Sequence, residues 1–221
     1  MKPKYDPAKH HRNSIRLKDY DYGQSGAYFI TIVTQKKICL FGDVNDSASQ
    51  LNDAGQMIRA VWVEMSRHYP GVETDTFVVM PNHIHGIILL VGAGPRACPE
   101  SSRVDRTGQP QGVAPTISLP EIVHRFKTLT TKRYTDGVKH SAWTRFQVRL
   151  WQRNYYEHVI RDEDSLTRIR EYIFNNPAQW AFDPENPAAT ATESPHVWRL
   201  QQRPDDRGDQ TVAPTKDLRI T

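Results

Sequence analysis

The chain has 221 residues and a formal net charge of +4 at pH 7, a length that suits one well-buried domain and is too short for two large cores. No apolar run approaches the ~20 residues of a bilayer-spanning helix, and residues 1–11 are basic and polar, unlike a secretion signal. Cys39 and Cys98 have no CxxC spacing, so neither a disulfide framework nor a thiolate metal site is indicated. We expect a soluble, cytoplasmic protein without membrane contact.

The first half of the sequence predicts a strand, a helix and two further strands. Residues 27–35 are rich in aromatic and β-branched side chains, which favour a buried strand. From residue 53 to 68 apolar residues recur with the spacing of one helical face. Two apolar runs follow at 76–80 and 84–91, and the Pro81-Asn82 pair between them predicts a short turn.

The second half predicts an exposed insertion, a helix, a strand and a last helix. Residues 92–117 are dominated by Gly, Pro, Ser and charged residues, which is typical of a mobile loop. A helix restarts at Ser118 with the Ser-x-x-Glu spacing of a capping box. Residues 150–160 end in a strand, and acidic residues at 162–164 begin a helix that runs to about Asn176.

This order of elements predicts an α+β fold of the ferredoxin-like βαββαβ type. Such a fold has an antiparallel sheet with helices on one face, here with an added C-terminal helix. We expect a basic N-terminal arm at 1–26 and a single domain at 27–180. The stretch 181–221, with several prolines and few apolar residues, is expected to be a loosely attached or disordered tail.

The sequence His83-Ile84-His85 lies at the start of a predicted strand. Alternate side chains of a strand share a face, so both imidazoles should project to one side and Ile84 to the other. Two imidazole nitrogens can then converge on one cation. Hydrogen-bonded strand histidines without a metal are the alternative explanation of this pattern.

The last predicted helix carries a second pair of polar groups. At about 100° per residue, Leu166, Ile169 and Ile173 form its buried stripe, and Tyr172 and Asn176 lie together on one flank. A phenol there can attack a phosphate, and the amide oxygen can complete a metal site. Alternatively, Tyr172 is an aromatic at the edge of the core and Asn176 only ends the helix before a proline.

Four segments together resemble the REP-associated tyrosine transposases, which are single-tyrosine members of the HUH nuclease group. They occur in the expected order, and the similarity extends over roughly residues 12–180. The segments are RNSIRLKDYDYGQSGAYFIT at 12–31, MPNHIHG at 80–86, WQRNYYEHVIRDE at 151–163 and EYIFNNPAQW at 171–180.

The resemblance implies an HUH nuclease domain that binds Mg²⁺ or Mn²⁺ and acts on single-stranded DNA near palindromes that fold into hairpins. It assigns the metal histidines to His83 and His85, the nucleophile to Tyr172 and the third ligand to Asn176. The implied reaction cleaves and rejoins DNA through a 5′-phosphotyrosine. The resemblance leaves open whether the protein is a monomer or a homodimer.

Three alternatives to this interpretation remain at the level of sequence. The adjacent Tyr155 and Tyr156 are possible nucleophiles, but they precede the last helix and lack the Asn partner. A hairpin-binding regulator with the same fold would bind DNA without cutting it. A metal-dependent nuclease would hydrolyse DNA with water and use Tyr172 only as a structural residue.

Contacts to DNA are expected from basic residues and from one aromatic ring. The sequence places them in the N-terminal arm, on the helix that begins near Ser118 and just after it; they are Arg12, Arg16, Lys18, Arg125, Lys127, Lys132, Arg133 and Trp151. A solvated terminus, a solvated helix face and a packed indole explain the same pattern without DNA.

Overall fold

The computed structural model of the protein describes residues 20–91 and 117–189. Most of the predicted arm, nearly all of the predicted insertion and the last 32 residues of the predicted tail therefore lie outside the described residues, and with them Arg12, Arg16 and Lys18. The described elements are β1 (Gly26–Val33), β2 (Gly42–Asn45), β3 (Ala48–Leu51), α1 (Asp53–His68), β4 (Val72–Val79), β5 (His83–Leu90), α2 (Leu119–His140), β6 (Tyr156–Ile160) and α3 (Glu163–Asn175), with short 3-10 helices at Gln35–Lys37 and Pro177–Phe182.

The main sheet has the strand order β4-β5-β1-β6, and all neighbouring strands are antiparallel. Strands β1, β4, β5 and β6 with helices α1 and α2 form the predicted βαββαβ arrangement, so the predicted α+β fold is confirmed. The β2–β3 hairpin was not predicted. Its strands are short and polar, and its turn residues Asp46 and Ser47 adopt positive φ without the Asn-Gly signal that marks such turns.

The two faces of the sheet carry different helices. Tyr28, Ile30 and Ile32 of β1 join the larger core with α1 and α2. The alternate residues Ala27 and Phe29 join a smaller core with α3. The added helix therefore covers the face opposite to the other two, which completes the predicted arrangement with a third layer.

Helix α3 is fixed to the sheet by an apolar stripe and an ion pair. Asp162 caps its start, where Oδ1 accepts a hydrogen bond from the backbone N–H of Ser165 at 2.6 Å. Its predicted stripe is buried against the sheet. The guanidinium of Arg170 donates from Nε to both carboxylate oxygens of Asp75 on β4, at 3.1 and 3.2 Å. These contacts set the position of the side chains on the last turn of α3.

Gly86 follows the two histidines and makes room for a buried indole. A Cβ atom at this position would lie 2.4 Å from Cζ2 of Trp62, a side chain that is 1% exposed. We expect Gly86→Ala to lower the free energy of unfolding by ~1–3 kcal/mol through overpacking. Denaturant unfolding measures this, with Gly26→Ala as the matched strand control, since a Cβ there meets nothing nearer than 3.6 Å. Equal destabilisation by both variants would contradict the packing argument.

Candidate metal and nucleophile site

Two histidines and a tyrosine converge on the α3 face of the sheet. Ile84 packs into the larger core, whereas His83 and His85 are buried on the opposite face, as strand alternation predicted. Their Nε2 atoms lie 3.0 Å apart. The Tyr172 hydroxyl, brought in by α3, lies 3.3 Å from Nε2 of His85.

The orientation of each imidazole is set by a hydrogen bond at Nδ1. Asn82 Oδ1 lies 2.8 Å from Nδ1 of His83, and the Asn82 amide nitrogen donates elsewhere, so this oxygen is the acceptor. His83 therefore carries its proton on Nδ1 and a lone pair on Nε2. Nδ1 of His85 lies 2.8 Å from the buried hydroxyl of Thr31, which can fix the same tautomer.

A carboxylate that sequence reasoning missed completes the cluster. Asp183 is 5% exposed, and its Oδ2 lies 3.6 Å from Nε2 of His83 and 4.0 Å from Nε2 of His85. The predicted boundary after residue 180 is therefore too early, because residues 181–189 fold onto the site. The available signal was Asp183-Pro184, a pair that favours a turn just after the helical segment.

The residues present fit a divalent cation. With the proton of each imidazole on Nδ1, the two Nε2 lone pairs lie 3.0 Å apart and repel each other unless a positive charge lies between them. Oδ2 of Asp183 and Oδ1 of Asn176 are buried and have no hydrogen-bond partner within residues 20–91 and 117–189, which is costly unless a cation satisfies them. Imidazole nitrogens with carboxylate and amide oxygens form a donor set that divalent metals accept.

Charge and burial also set the protonation of the oxygen groups. Burial, together with the negative charge of Asp183, raises the pKa of Tyr172 above its usual value near 10, although the Asn176 side chain opposes this. Burial raises the pKa of Asp183 as well, but the neighbouring His85 and His83 outweigh it and bring the value down to about 2. At neutral pH the site thus holds a protonated phenol and an ionised carboxylate.

The stability of the metal-free protein should fall as the pH falls below 6.5. Burial, helped by His85, lowers the pKa of His83 from 6.5 to about 3. Between these values the unfolded chain binds a proton at His83 that the folded chain does not, so stability present above pH 6.5 is lost on acidification. We expect a loss of up to ~2 kcal/mol at pH 5 relative to pH 7.5. Denaturant unfolding in EDTA measures it; a loss of equal size in His83→Gln would contradict this assignment.

The adjacent tyrosines of the sequence point to opposite faces. Thr31 of β1 pairs with both His85 and Tyr156, so the Tyr156 side chain shares the site's face, where it is 42% exposed. Tyr155 packs against the larger core instead. Among the described residues, Tyr172 is the tyrosine whose hydroxyl contacts a site histidine.

The predicted basic face of α2 lies on the other side of the sheet from the site. Two of its cations have partners within the protein. Lys127 Nζ donates to the carbonyl oxygens of Gln152 and Asn154, both at 3.0 Å. Arg133 forms a bidentate pair with Glu64 at 2.7 and 3.1 Å.

The other predicted DNA contacts on this side differ in their surroundings. Trp151 is 4% exposed, and its Nε1 donates to Thr130 Oγ1 at 2.9 Å. Its ring packs against Phe41 and Phe126, which is the packed indole named above as the alternative, and the stacking role of Trp151 stays an untested prediction. The Arg125 guanidinium lies 5.1 Å from the Tyr69 ring centre, and Lys132 is exposed.

No family model matches the chain. It is 43% identical over 187 residues to an uncharacterized Haemophilus influenzae protein, covering 83% of this chain and 97% of that one. It is also 27% identical over 165 residues to a second Haemophilus influenzae protein, which carries the provisional name of REP-associated tyrosine transposase; the match covers 73% of this chain and 76% of that protein. The chain is therefore related to a protein that carries the name of a REP-associated tyrosine transposase, the family that its sequence motifs resemble.

Two solved structures show a weaker likeness to the chain. A REP-associated tyrosine transposase bound to a REP hairpin gives a TM-score of 0.46 at 18% identity, covering 95% of this chain and all of that one. A transposase of provisional name from Deinococcus radiodurans gives a TM-score of 0.38 at 16% identity, and the match covers 73% of this chain and 97% of that one. Within residues 20–91 and 117–189, no helix is long and apolar enough to cross a membrane.

Proposed function

We propose that the protein nicks and rejoins single-stranded DNA at hairpin-forming palindromes through a 5′-phosphotyrosine on Tyr172. The observation that carries the proposal is the 3.3 Å approach of the Tyr172 hydroxyl to Nε2 of His85, beside Nε2 of His83 and the carboxylate of Asp183. A nucleophile next to a cation-binding cluster is the arrangement that phosphoryl transfer requires. The relation to a protein named as a REP-associated tyrosine transposase supports DNA as the substrate.

In this proposal His83, His85, Asp183 and Asn176 hold Mg²⁺ or Mn²⁺, as the sequence predicted for three of them. The bound ion would polarise the scissile phosphate and stabilise the charge that develops on it. The Tyr172 oxygen gives up its proton and bonds to phosphorus, the bond from phosphorus to the 3′ oxygen breaks, and the 3′ oxygen takes up a proton. The products are a 5′-phosphotyrosyl strand and a free 3′-hydroxyl. A second 3′-hydroxyl reverses the step without ATP, since the tyrosyl ester keeps the phosphodiester energy.

A DNA hairpin labelled at either its 3′ or its 5′ end distinguishes the proposed reaction from the alternative functions. With Mn²⁺, a 3′-labelled strand should migrate with the protein on a denaturing gel, whereas a 5′-labelled strand should give a short free fragment. Release of both fragments without adduct would favour a nuclease that uses water. Binding with no cleavage would favour a hairpin-binding regulator.

Phosphate contacts close to the site are expected from the loop between α2 and β6. Arg149 and Arg153 are exposed there, and the loop is joined to β1 because the Gln152 N–H donates to the Val33 carbonyl at 2.9 Å. Val33 pairs with His83, which places this loop at the same end of the sheet as the site. The basic arm and α2, through Arg125 and Lys132, remain proposed contacts for more distant parts of a hairpin.

We expect Arg149→Gln with Arg153→Gln to weaken binding of single-stranded DNA. Loss of two phosphate contacts should also make the dependence of log K on log salt shallower by ~1.4. The measurement is fluorescence anisotropy across a salt series. Arg125→Gln with Lys132→Gln removes the same charge from α2 and is the matched control. A larger loss of DNA affinity in that control would indicate that the DNA strand binds along α2 instead.

A further inference from the structure

Asn82, in the turn between β4 and β5, is fully buried and uses every polar atom of its side chain. Oδ1 accepts from Nδ1 of His83 at 2.8 Å. The amide nitrogen donates to the carbonyl oxygen of Lys37 at 2.9 Å and to that of Glu185 at 2.6 Å. Its backbone carbonyl accepts from the Thr34 N–H at 2.8 Å. One side chain thus joins the metal-site strand to two other segments.

The Glu185 contact matters because Glu185 belongs to the turn that carries Asp183. Within that turn, Asp183 Oδ1 accepts from the Glu185 N–H at 2.6 Å, which leaves Oδ2 directed at the histidines. Lys37 holds the same turn from the other side, since its Nζ donates to the Pro184 carbonyl at 2.7 Å and lies 3.3 Å from the Glu185 carboxylate. Asn82 therefore fixes the position of one candidate ligand and the turn that bears another.

We propose that Asn82 is a positioning residue that assembles the metal centre by coupling His83 to the Asp183 turn. This inference rests on the proposed function, because it presumes that both side chains bind the same ion. The three contacts at this position require a side chain with one acceptor and two donors in a single plane. An amide supplies these groups and a carboxylate does not. A residue that only stabilised the fold would contribute equally whether or not Asp183 were present.

The test is a double-mutant cycle on Mn²⁺ affinity, measured by electron paramagnetic resonance without DNA. The four proteins are wild type, Asn82→Ala, Asp183→Ala and the double variant. We expect Asn82→Ala to weaken Mn²⁺ binding by ~10–100-fold, as for other residues that orient metal ligands. In the Asp183→Ala background, the loss of Mn²⁺ affinity caused by Asn82→Ala should be smaller by at least about threefold, because the coupled ligand is already absent.

Two further variants make the outcome specific. Thr31→Val removes the hydrogen-bond partner of His85 and leaves the Asp183 turn untouched. The factor by which it weakens Mn²⁺ binding should therefore be the same with and without Asp183. Lys37→Met loosens the turn from the exposed side without changing the core, and should weaken Mn²⁺ binding only when Asp183 is present. This variant tests the coupling if Asn82→Ala does not fold, which thermal unfolding in EDTA reports.

The inference is overturned if Asn82→Ala weakens Mn²⁺ binding by the same factor with and without Asp183. It is also overturned if neither Asn82→Ala nor Lys37→Met changes the Mn²⁺ affinity. If wild type forms the tyrosine adduct under those circumstances, the proposed function stands and only the role of Asn82 is lost. Failure of the wild-type protein to bind Mn²⁺ would overturn the proposed metal centre, and this role with it.

Discussion

Replacing Tyr172 by phenylalanine is expected to abolish covalent adduct formation with hairpin DNA, with a rate loss of at least ~10³-fold. The change removes one oxygen atom, the proposed nucleophile, from a ring that stays packed against Phe29 and the smaller core. The histidines, Asn176 and Asp183 are untouched, so Mn²⁺ affinity should remain within about threefold of wild type. Denaturing gel electrophoresis of the protein with labelled DNA measures adduct formation, and Mn²⁺ titration measures the metal affinity.

Tyr156→Phe is the matched control for this prediction. Tyr156 shares the site's face, and its ring centre lies 6.2 Å from that of Phe29. Among the described residues, the tyrosine hydroxyl that hydrogen-bonds a site histidine is that of Tyr172. Burial raises the pKa of Tyr156 to about 12, so at neutral pH it is also a protonated phenol. An adduct that survives in Tyr172→Phe and disappears in Tyr156→Phe would transfer the nucleophile to β6.

Removal of the Asp183 carboxylate is expected to weaken Mn²⁺ binding by ~10–100-fold and to slow adduct formation at subsaturating metal. The ionised oxygen 3.6 Å from Nε2 of His83 is the sole negative charge in the described cluster. Its loss leaves neutral donors, which bind a hard divalent ion less strongly. Mn²⁺ titration of Asp183→Asn, which preserves shape and removes charge, measures the effect.

Asn176→Ala provides the comparison for Asp183. Its amide oxygen is also buried and has no hydrogen-bond partner in the described part of the chain. Because this oxygen carries no charge, we expect a smaller loss of Mn²⁺ affinity. Addition of Mn²⁺ in excess should restore adduct formation in both variants if they act through the metal. A loss confined to Asn176→Ala would leave Asp183 as a structural carboxylate and return the ligand set to the three residues expected from the sequence.

The elements and the two histidines could be predicted because local patterns determine them. The α1 boundaries follow from helical spacing and a cap, in which Asn52 Oδ1 accepts from the Gly55 N–H at 2.9 Å. The predicted capping box of α2 is present, with Glu121 accepting from the Ser118 N–H at 2.9 Å. The common face of His83 and His85 follows from strand alternation alone.

The remaining features depend on contacts between distant segments, which no local pattern reports. Asp183 joins the site through hydrogen bonds that connect residues about a hundred positions apart in sequence, from Asn82 to Glu185. Lys127 looks like an exposed cation of a helix face until the loop after α2 folds over it. Trp151 has the same composition signal whether it stacks on DNA or packs into a core, and only its burial distinguishes the two.

The two faces of the sheet carry cores of unequal size, which bears on the relative stability of the helices that cover them. Helices α1 and α2 share the larger core, whereas α3 is held by a cluster of seven buried residues and one ion pair. Hydrogen exchange in such proteins proceeds through cooperative units of unequal stability, and the unit with less buried apolar surface opens first. Backbone amides of α3 should therefore exchange faster than those of α1 and α2. The helix that carries Tyr172 is then the layer of the described fold that separates most readily from the sheet.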